Sequence, residues 1–311
     1  MHARLYNELV ISLQVRPASP LLIKSGRSGD DTLDPTLPDM SFVRTVRPGQ
    51  AEDEVYVPGS SLRGVLRSHA EKLVRSVAEG QACDPNNHDG KGQLALACGS
   101  NVQRMGVKDR KDLAGIAAFQ AYNNSCYICR LFGSTVLAGR VRVGDLYRDA
   151  ARKPLLERRY GVAIDRITGA VAQGPFELEV LTDALFCGQI GLRNFTIGQF
   201  GLLAAALLDM GEGLVPVGYG KSRGLGRIEI EFGAITFRAL RDPGGRLLGV
   251  GVLATDTDRA SYNLPAQETD WLDMPGDNGQ RGPFFTRTTG GAAAQDWLNT
   301  ASARWLPEVR P

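Results

Sequence analysis

The sequence predicts an α+β fold on a ferredoxin-like β-α-β-β-α-β core, and three observations carry that prediction. Two segments, 62–77 and 197–210, have helical apolar character. Several others, from 9–15 to 226–237, alternate or run apolar as strands do. Their order along the chain is strand, helix, strands, helix, strand.

Leu9-Val10-Ile11-Ser12-Leu13-Gln14-Val15 is rich in branched residues and alternates toward its end, as a strand does. A polar loop rich in Gly, Asp, Thr and Pro follows from about Ser25 to Glu54, and loops of that length are usually functional or mobile. Val55-Tyr56-Val57 reads as a short extended lead-in. Leu62, Val65, Leu66, Leu73, Val74 and Val77 then form one apolar helical stripe, with Ser60 or Ser61 as N-cap and Gly80 as stop. The stretch from Gln81 to about Gly139 has weak periodicity and reads as an insertion. Strands resume at 140–147 and continue near 160–164, 176–181 and 184–192. Ile197–Met210 is a strongly apolar helix ended by Gly211. In 226–237, Ile228, Ile230 and Phe232 alternate with Arg227, Glu229 and Glu231, giving a strand with one wet face. This core is the one RNA-recognition-motif folds share. Residues 1–240 are expected to form it, with the insertion at 80–139. Residues 241–311 are expected to be an irregular extension.

The chain has 311 residues, 43% hydrophobic and 23% charged, ample for a buried core. Its formal net charge of +2 points to no partner by itself, so the distribution of charge matters more. The start lacks the apolar core of a signal peptide, and no stretch of about 18 apolar residues spans a membrane, so a cytoplasmic location is expected. Five cysteines without a secretory context suggest metal ligation or reduced thiols, not disulfides.

Two Gly/Ser/Arg segments carry the binding signal. In Pro58-Gly59-Ser60-Ser61-Leu62-Arg63-Gly64 a loop enters a helix, where free N–H groups and the helix dipole favour an anion. Arg63 and Arg67 share a helix face. The bland alternative is an ordinary cap above a solvated basic face. Gly218-Tyr219-Gly220-Lys221-Ser222-Arg223-Gly224-Leu225-Gly226-Arg227 has basic residues and no acid, and its glycines permit an unusual backbone path. It is not a P-loop: Val215 stands where the first glycine is needed, and a strand follows instead of a helix. A sugar-phosphate backbone suits it better than a nucleoside triphosphate, and a plain tight loop is the alternative.

Cys126-Tyr127-Ile128-Cys129 has the spacing of a zinc knuckle. Cys83 and Cys98 complete a four-thiolate set, with His88 or His69 as alternative ligands. Such a Zn²⁺ would be structural, and a redox pair is the rival without its usual context. Cys187, in an apolar strand, reads as a core thiol. Asp30, Asp31, Asp34 and Asp39 crowd the loop before Phe42 with no basic residue among them. They suit a hard cation or general-base chemistry, and also an ordinary solvated loop of turn-forming residues.

The segments Pro58–Gly64, Cys129-Arg130-Leu131-Phe132-Gly133-Ser134, Val162-Ala163-Ile164-Asp165-Arg166-Ile167-Thr168-Gly169-Ala170 and Gly220–Arg227 occur in that order. Together they resemble the RAMP-superfamily backbone subunits of type III CRISPR–Cas effector complexes, over roughly residues 8–235. The resemblance implies a subunit that stacks along a guide RNA beside other effector subunits or copies of itself. It also implies a β-hairpin thumb, here about 160–176, that pries into the guide–target duplex. Lys24, Ser60, Ser61, Arg63, Arg67, Arg166, Lys221, Ser222 and Arg223 become the expected RNA contacts. Active family members cleave target RNA with Mg²⁺ or Mn²⁺ through a loop aspartate. Asp39-Met40-Ser41-Phe42-Val43-Arg44 best resembles the stretch around it, so Asp39 is the first candidate, then Asp34 and Asp31. A cleavage-inactive scaffold of the same complex is the alternative. A guide-processing nuclease fits less well, because only His2, His69 and His88 are available as bases.

Overall fold

The computed structural model describes residues 3–24, 38–101, 103–107, 112 and 115–310. In chain order the strands are β1 (Asn7–Pro17), β2 (Arg44–Val46), β3 (Asp53–Val57), β4 (Val141–Val143), β5 (Leu146–Arg148), β6 (Leu155–Ile164), β7 (Val171–Asp183), β8 (Phe186–Arg193), β9 (Ile228–Ala239), β10 (Arg246–Leu248), β11 (Trp271–Asp273), β12 (Asp277–Arg281) and β13 (Phe284–Thr289). The helices are α1 (Gly59–Val77), α2 (Ala118–Asn123), α3 (Tyr127–Phe132), α4 (Ile197–Gly211), α5 (Val250–Leu253), α6 (Asp256–Ser261), α7 (Gly291–Ala301) and α8 (Leu306–Val309).

The main sheet runs in the order β12-β13-β9-β1-β8-β5-β3-β2, with β4 also paired to β8. Its ladders are antiparallel. Strand alternation sorts the two faces. Leu9, Ile11, Leu13 and Val15 of β1 are buried, as are Ile228, Phe232, Ile235 and Phe237 of β9, while Gln14, Glu229 and Glu231 are exposed. The apolar face meets α1 and α4. Leu62, Leu66, Ala70 and Val74 form the buried stripe of α1. α4 is apolar nearly all round because it is covered on every side, by β9, α1 and α7. Trp297 of α7 seals it, its ring 5.0 Å from that of Phe200.

β6 and β7 form a separate two-stranded ribbon that leaves the body as a long hairpin, wider in extent than 160–176. Bridges from Leu21 to Leu181 and from Met40 to Leu178 fasten its base. The tip is closed by Asp165, whose Oδ1 accepts from the N–H of Ile167 at 2.9 Å and of Thr168 at 2.7 Å. Those donors, Thr168 foremost, hold the Asp165 carboxyl below its usual range. Gly169 takes the left-handed conformation that completes the turn. Ile167 stands at the tip, 94% exposed.

Three expectations need correction. The segment beyond Asp242 is not irregular. β13 adds to the sheet beside β9, β12 pairs with β13, β10 pairs with β11, and α7 packs on α4. β10 and β11 are only three residues long and β12 is polar throughout, so no side-chain period announces them, and backbone bonds hold them in place. Ser60 and Ser61 do not cap α1. The helix begins at Gly59 with Pro58 in the N-cap position, and the Gly59 N–H donates to Asp145 Oδ1 at 2.8 Å. The capping carboxylate thus comes from the turn between β4 and β5. Cys187 is no core thiol either; it lies half-buried on the open face of β8.

Candidate nucleic-acid interface and metal centre

The loop 218–227 folds on its glycines. Gly218, Gly220, Gly224 and Gly226 all have positive φ. A Cβ on Gly218 would run into the Leu22 carbonyl, and one on Gly226 into that of Val217. This close approach lets the loop dock on the segment after β1. Tyr219 N–H donates to Leu22 O at 2.7 Å and Gly226 N–H to Pro20 O at 2.9 Å. Lys221, Ser222 and Arg223 form an exposed 3-10 turn on top. Burial and the nearby Lys72 of α1 lower the Lys221 ammonium from its usual value, which places a second cation beside it. Lys24, exposed, follows Ile23, whose side chain lies against Gly218. Lys221, Ser222 and Arg223 therefore share one exposed turn with Lys72 beside it, and the loop docks on the segment that ends at Lys24; Lys72 is not among the RNA contacts expected from the sequence. Its signal was present: it lies on the wet face of α1.

Arg63 and Arg67 turn elsewhere. Arg63 Nη2 donates to the Phe132 carbonyl. Arg67 donates to Glu71 at 2.9 Å and to Gly133 O at 2.9 Å, and its Nη2 lies 3.6 Å from Cys129 Sγ. Burial and then Arg67 lower the Arg63 guanidinium; Arg67 is itself raised, since Glu71 and the sulfur of Cys129 outweigh its burial. Both line a cavity of about 410 Å³ with Cys83, Cys98, Cys129 and His88. Ser60 is exposed and Ser61 half-buried in the first turn of α1, where Asp145 already occupies the anion position. Arg166 is exposed beside the hairpin tip.

Beneath that cavity the four cysteines converge. The Sγ atoms of Cys83, Cys98, Cys126 and Cys129 are buried and lie within 4.8 Å of one another. Cys83 and Cys129 are 3.6 Å apart, against about 3.8 Å between sulfurs on a tetrahedral zinc. Cys126 is the N-cap of α3 and its Sγ accepts from the Cys129 N–H, so the helix start presents both sulfurs of the pair to one point. The Cys126 N–H in turn donates to Cys98 Sγ at 3.2 Å. Hydrogen bonds from Cys129, then Cys83 and Cys98, pull the Cys126 thiol below its usual value. The donor set is soft, closed and four-fold, so it fits a structural zinc ion. Neither alternative histidine is in the cluster: His69 Nε2 is 2.5 Å from Asp209 Oδ2 and His88 Nδ1 is 2.9 Å from Ser100 Oγ. Among the described residues no other group of three or more His, Cys, Asp or Glu side chains gathers so closely.

Asp30, Asp31 and Asp34 lie outside the described residues. Asp39 is at the base of the hairpin, where 38–44 threads between the segment after β1 and β7. Its Oδ2 accepts from the Glu177 N–H at 2.8 Å. Met40 exchanges backbone bonds with Glu177 and Glu179, and Phe42 bridges to Lys24. Arg44 clamps Glu179 with two bonds of 2.7 and 2.8 Å, fixing the same junction. One carboxylate oxygen of Asp39 thus positions the hairpin, and the residue is otherwise exposed.

No helix among the described residues is long and apolar enough to cross a membrane. No curated protein matches the chain. The model of the RAMP superfamily matches residues 16–229, from the end of β1 into β9. That span takes in the glycine loop, the hairpin and the cysteine cluster, and covers more than half of the 311 residues. The chain belongs to the RAMP superfamily.

Proposed function

We propose that this protein is an RNA-binding backbone subunit of a type III CRISPR effector complex, holding guide RNA and presenting bound target RNA to Asp39. Family membership supports the CRISPR-associated, RNA-binding part of that reading. The observation that carries the grip is the exposed turn of Lys221 and Arg223, with Lys72 beside Lys221, on a glycine loop pinned to Leu22 and Pro20. Cations on an exposed, glycine-tight turn neutralise phosphates without reading bases. The strand order β9-β1-β8-β4, with α1 and α4 on one face, supports a ferredoxin-like core. The β6–β7 hairpin supports the thumb, with Ile167 as the apolar wedge.

Cleavage belongs to the same reading. Asp39 stands where the hairpin leaves the body, and its carboxylate would deprotonate a 2′-hydroxyl or hold Mg²⁺ or Mn²⁺. The cation supplies charge neutralisation at the phosphate. The protein's part is to fix the carboxylate through Glu177 N–H and the Arg44–Glu179 clamp. The test of the grip is guide-RNA affinity of the Lys221→Ala/Arg223→Ala protein across a salt series. The slope of log K against log salt is expected to fall by roughly 0.7 for each phosphate contact removed. An unchanged affinity and slope would place the grip elsewhere.

A further inference from the structure

The strand registers lay one row of side chains across the sheet face opposite α1 and α4. Glu231 pairs with Gln14, Gln14 with Cys187, Cys187 with Tyr147, and Tyr147 with Tyr56. Their neighbours Val57 and Leu146 point the other way into the core. Tyr56 and Tyr147 close the row toward the β2 edge, both only half-buried. Their ring centroids are 6.2 Å apart and the planes differ by 19°. A third flat group joins them, because the Arg47 guanidinium lies 4.3 Å from the centroid of the Tyr147 ring. Arg47 is held there by Glu54 at 2.7 Å, and Glu54 also draws in Arg148 at 3.6 Å.

We propose that Tyr56, Tyr147 and Arg47 form a stacking platform for a nucleobase of single-stranded RNA, a site separate from the phosphate grip around Lys221. This rests on the RNA-binding reading above. Two near-parallel tyrosine rings with a guanidinium fixed beside them offer π-faces that any base can cover, and their ordering cost is met before the ligand arrives. The local charge argues for a base over a phosphate. Glu54 answers Arg47 and Arg148, and Asp145 lies close enough to Tyr56 to raise its hydroxyl, after burial, above the usual value. A phosphate gains little on a surface so balanced, whereas an uncharged ring loses nothing there. Asp145 also holds the start of α1, so the platform adjoins the helix that begins two residues after Val57.

A cross-strand tyrosine pair also stabilises an edge ladder, so the experiment separates the two roles. Binding of fluorescein-labelled oligoriboadenylate to the full chain is measured by anisotropy over a salt series, with thermal melting of each variant. Tyr56→Leu/Tyr147→Leu is expected to lose about tenfold in affinity with an unchanged salt slope, since stacking releases no counterions. Tyr56→Phe/Tyr147→Phe is expected to bind as the wild type. A leucine variant that melts normally and binds as tightly as the wild type overturns the platform, as does a loss that comes with a changed slope. The Lys221→Ala/Arg223→Ala protein serves as the contrast, because there the slope itself should fall. A wild-type chain that binds no RNA at any salt overturns the RNA-binding reading and the platform together. An unchanged slope in the lysine–arginine variant alone overturns only the grip.

Discussion

Arg67 Nη2 lies 3.6 Å from Cys129 Sγ, so a helix residue with the look of an RNA contact is committed to the thiol cluster instead. A zinc tetrathiolate carries two net negative charges, and a fixed guanidinium beside one sulfur offsets part of them. The purified protein is expected to hold about one equivalent of zinc. Cys126→Ser should abolish it and lower the melting temperature. Arg67→Ala should keep the metal but release it faster to a chelator, with Arg67→Lys between the two. Metal analysis and chromogenic chelator kinetics check this directly, without RNA.

Asp39 has two separable duties, and the isosteric amide separates them. Asp39→Asn keeps an oxygen to accept the Glu177 N–H but loses the charge. In the assembled complex it should cut target RNA about 10²-fold more slowly or worse while binding guide RNA normally. Asp39→Ala should lose cleavage and also loosen the hairpin base, seen as faster amide exchange at Glu177. Full cleavage by the asparagine variant would remove Asp39 from the chemistry.

The glycines of the 218–227 loop should differ in cost. Gly226→Ala forces a Cβ into the Val217 carbonyl at positive φ, so both strain and collision act. Gly224→Ala has positive φ but open space, leaving only the conformational penalty of roughly 1 kcal/mol. Urea unfolding should show Gly226→Ala destabilised by about 2 kcal/mol or more, and Gly224→Ala by about half that. Equal costs would mean the loop yields freely.

Asp270 and Glu308 meet at the start of α4. Asp270 accepts from the N–H of Ile197 at 2.7 Å, and Glu308 from that of Gly198 at 2.9 Å. Burial, and then the charge of Glu308, push Asp270 up to about 7; burial likewise raises Glu308. A carboxyl raised in the folded state keeps its proton when the unfolded chain has lost it. Its contribution is therefore full below pH 4 and declines as pH rises to about 7. For Asp270 the change is at most on the order of 4 kcal/mol. Melting curves between pH 5 and 8 should fall more steeply for the wild type than for Asp270→Asn. Parallel curves would mean that the pair does not titrate in this range.

Much of this architecture could be read from side-chain pattern. The stripe of Leu62, Leu66 and Val74 marks α1, and the alternation around Ile228 and Phe232 marks β9. The spacing of Cys126 and Cys129, with Cys83 and Cys98 to complete it, pointed to the cluster because thiol ligands must come in such sets. What escaped was carried by other forces. β12 is exposed at every position and is held through backbone bonds, so no periodicity announces it. Asp145 reaches Gly59 from 86 residues away, and local spacing cannot anticipate a cap of that kind. Arg63 and Arg67 share a basic helix face, yet the fold turns them toward carbonyls of Phe132 and Gly133. The row from Glu231 to Tyr56 exists only through strand register, which joins residues far apart in the chain.

β13 lies outside the span shared with the superfamily, but it occupies the flank of β9 from Ile235 to Ala239. A chain ending with β9 would leave that flank with bare N–H and C=O groups, an invitation to pair with any extended strand nearby. With β13 and β12 in place the open edge passes from the apolar strand β9 to β12, where Asp277, Asn278, Gln280 and Arg281 are exposed and polar, a poorer template for another strand.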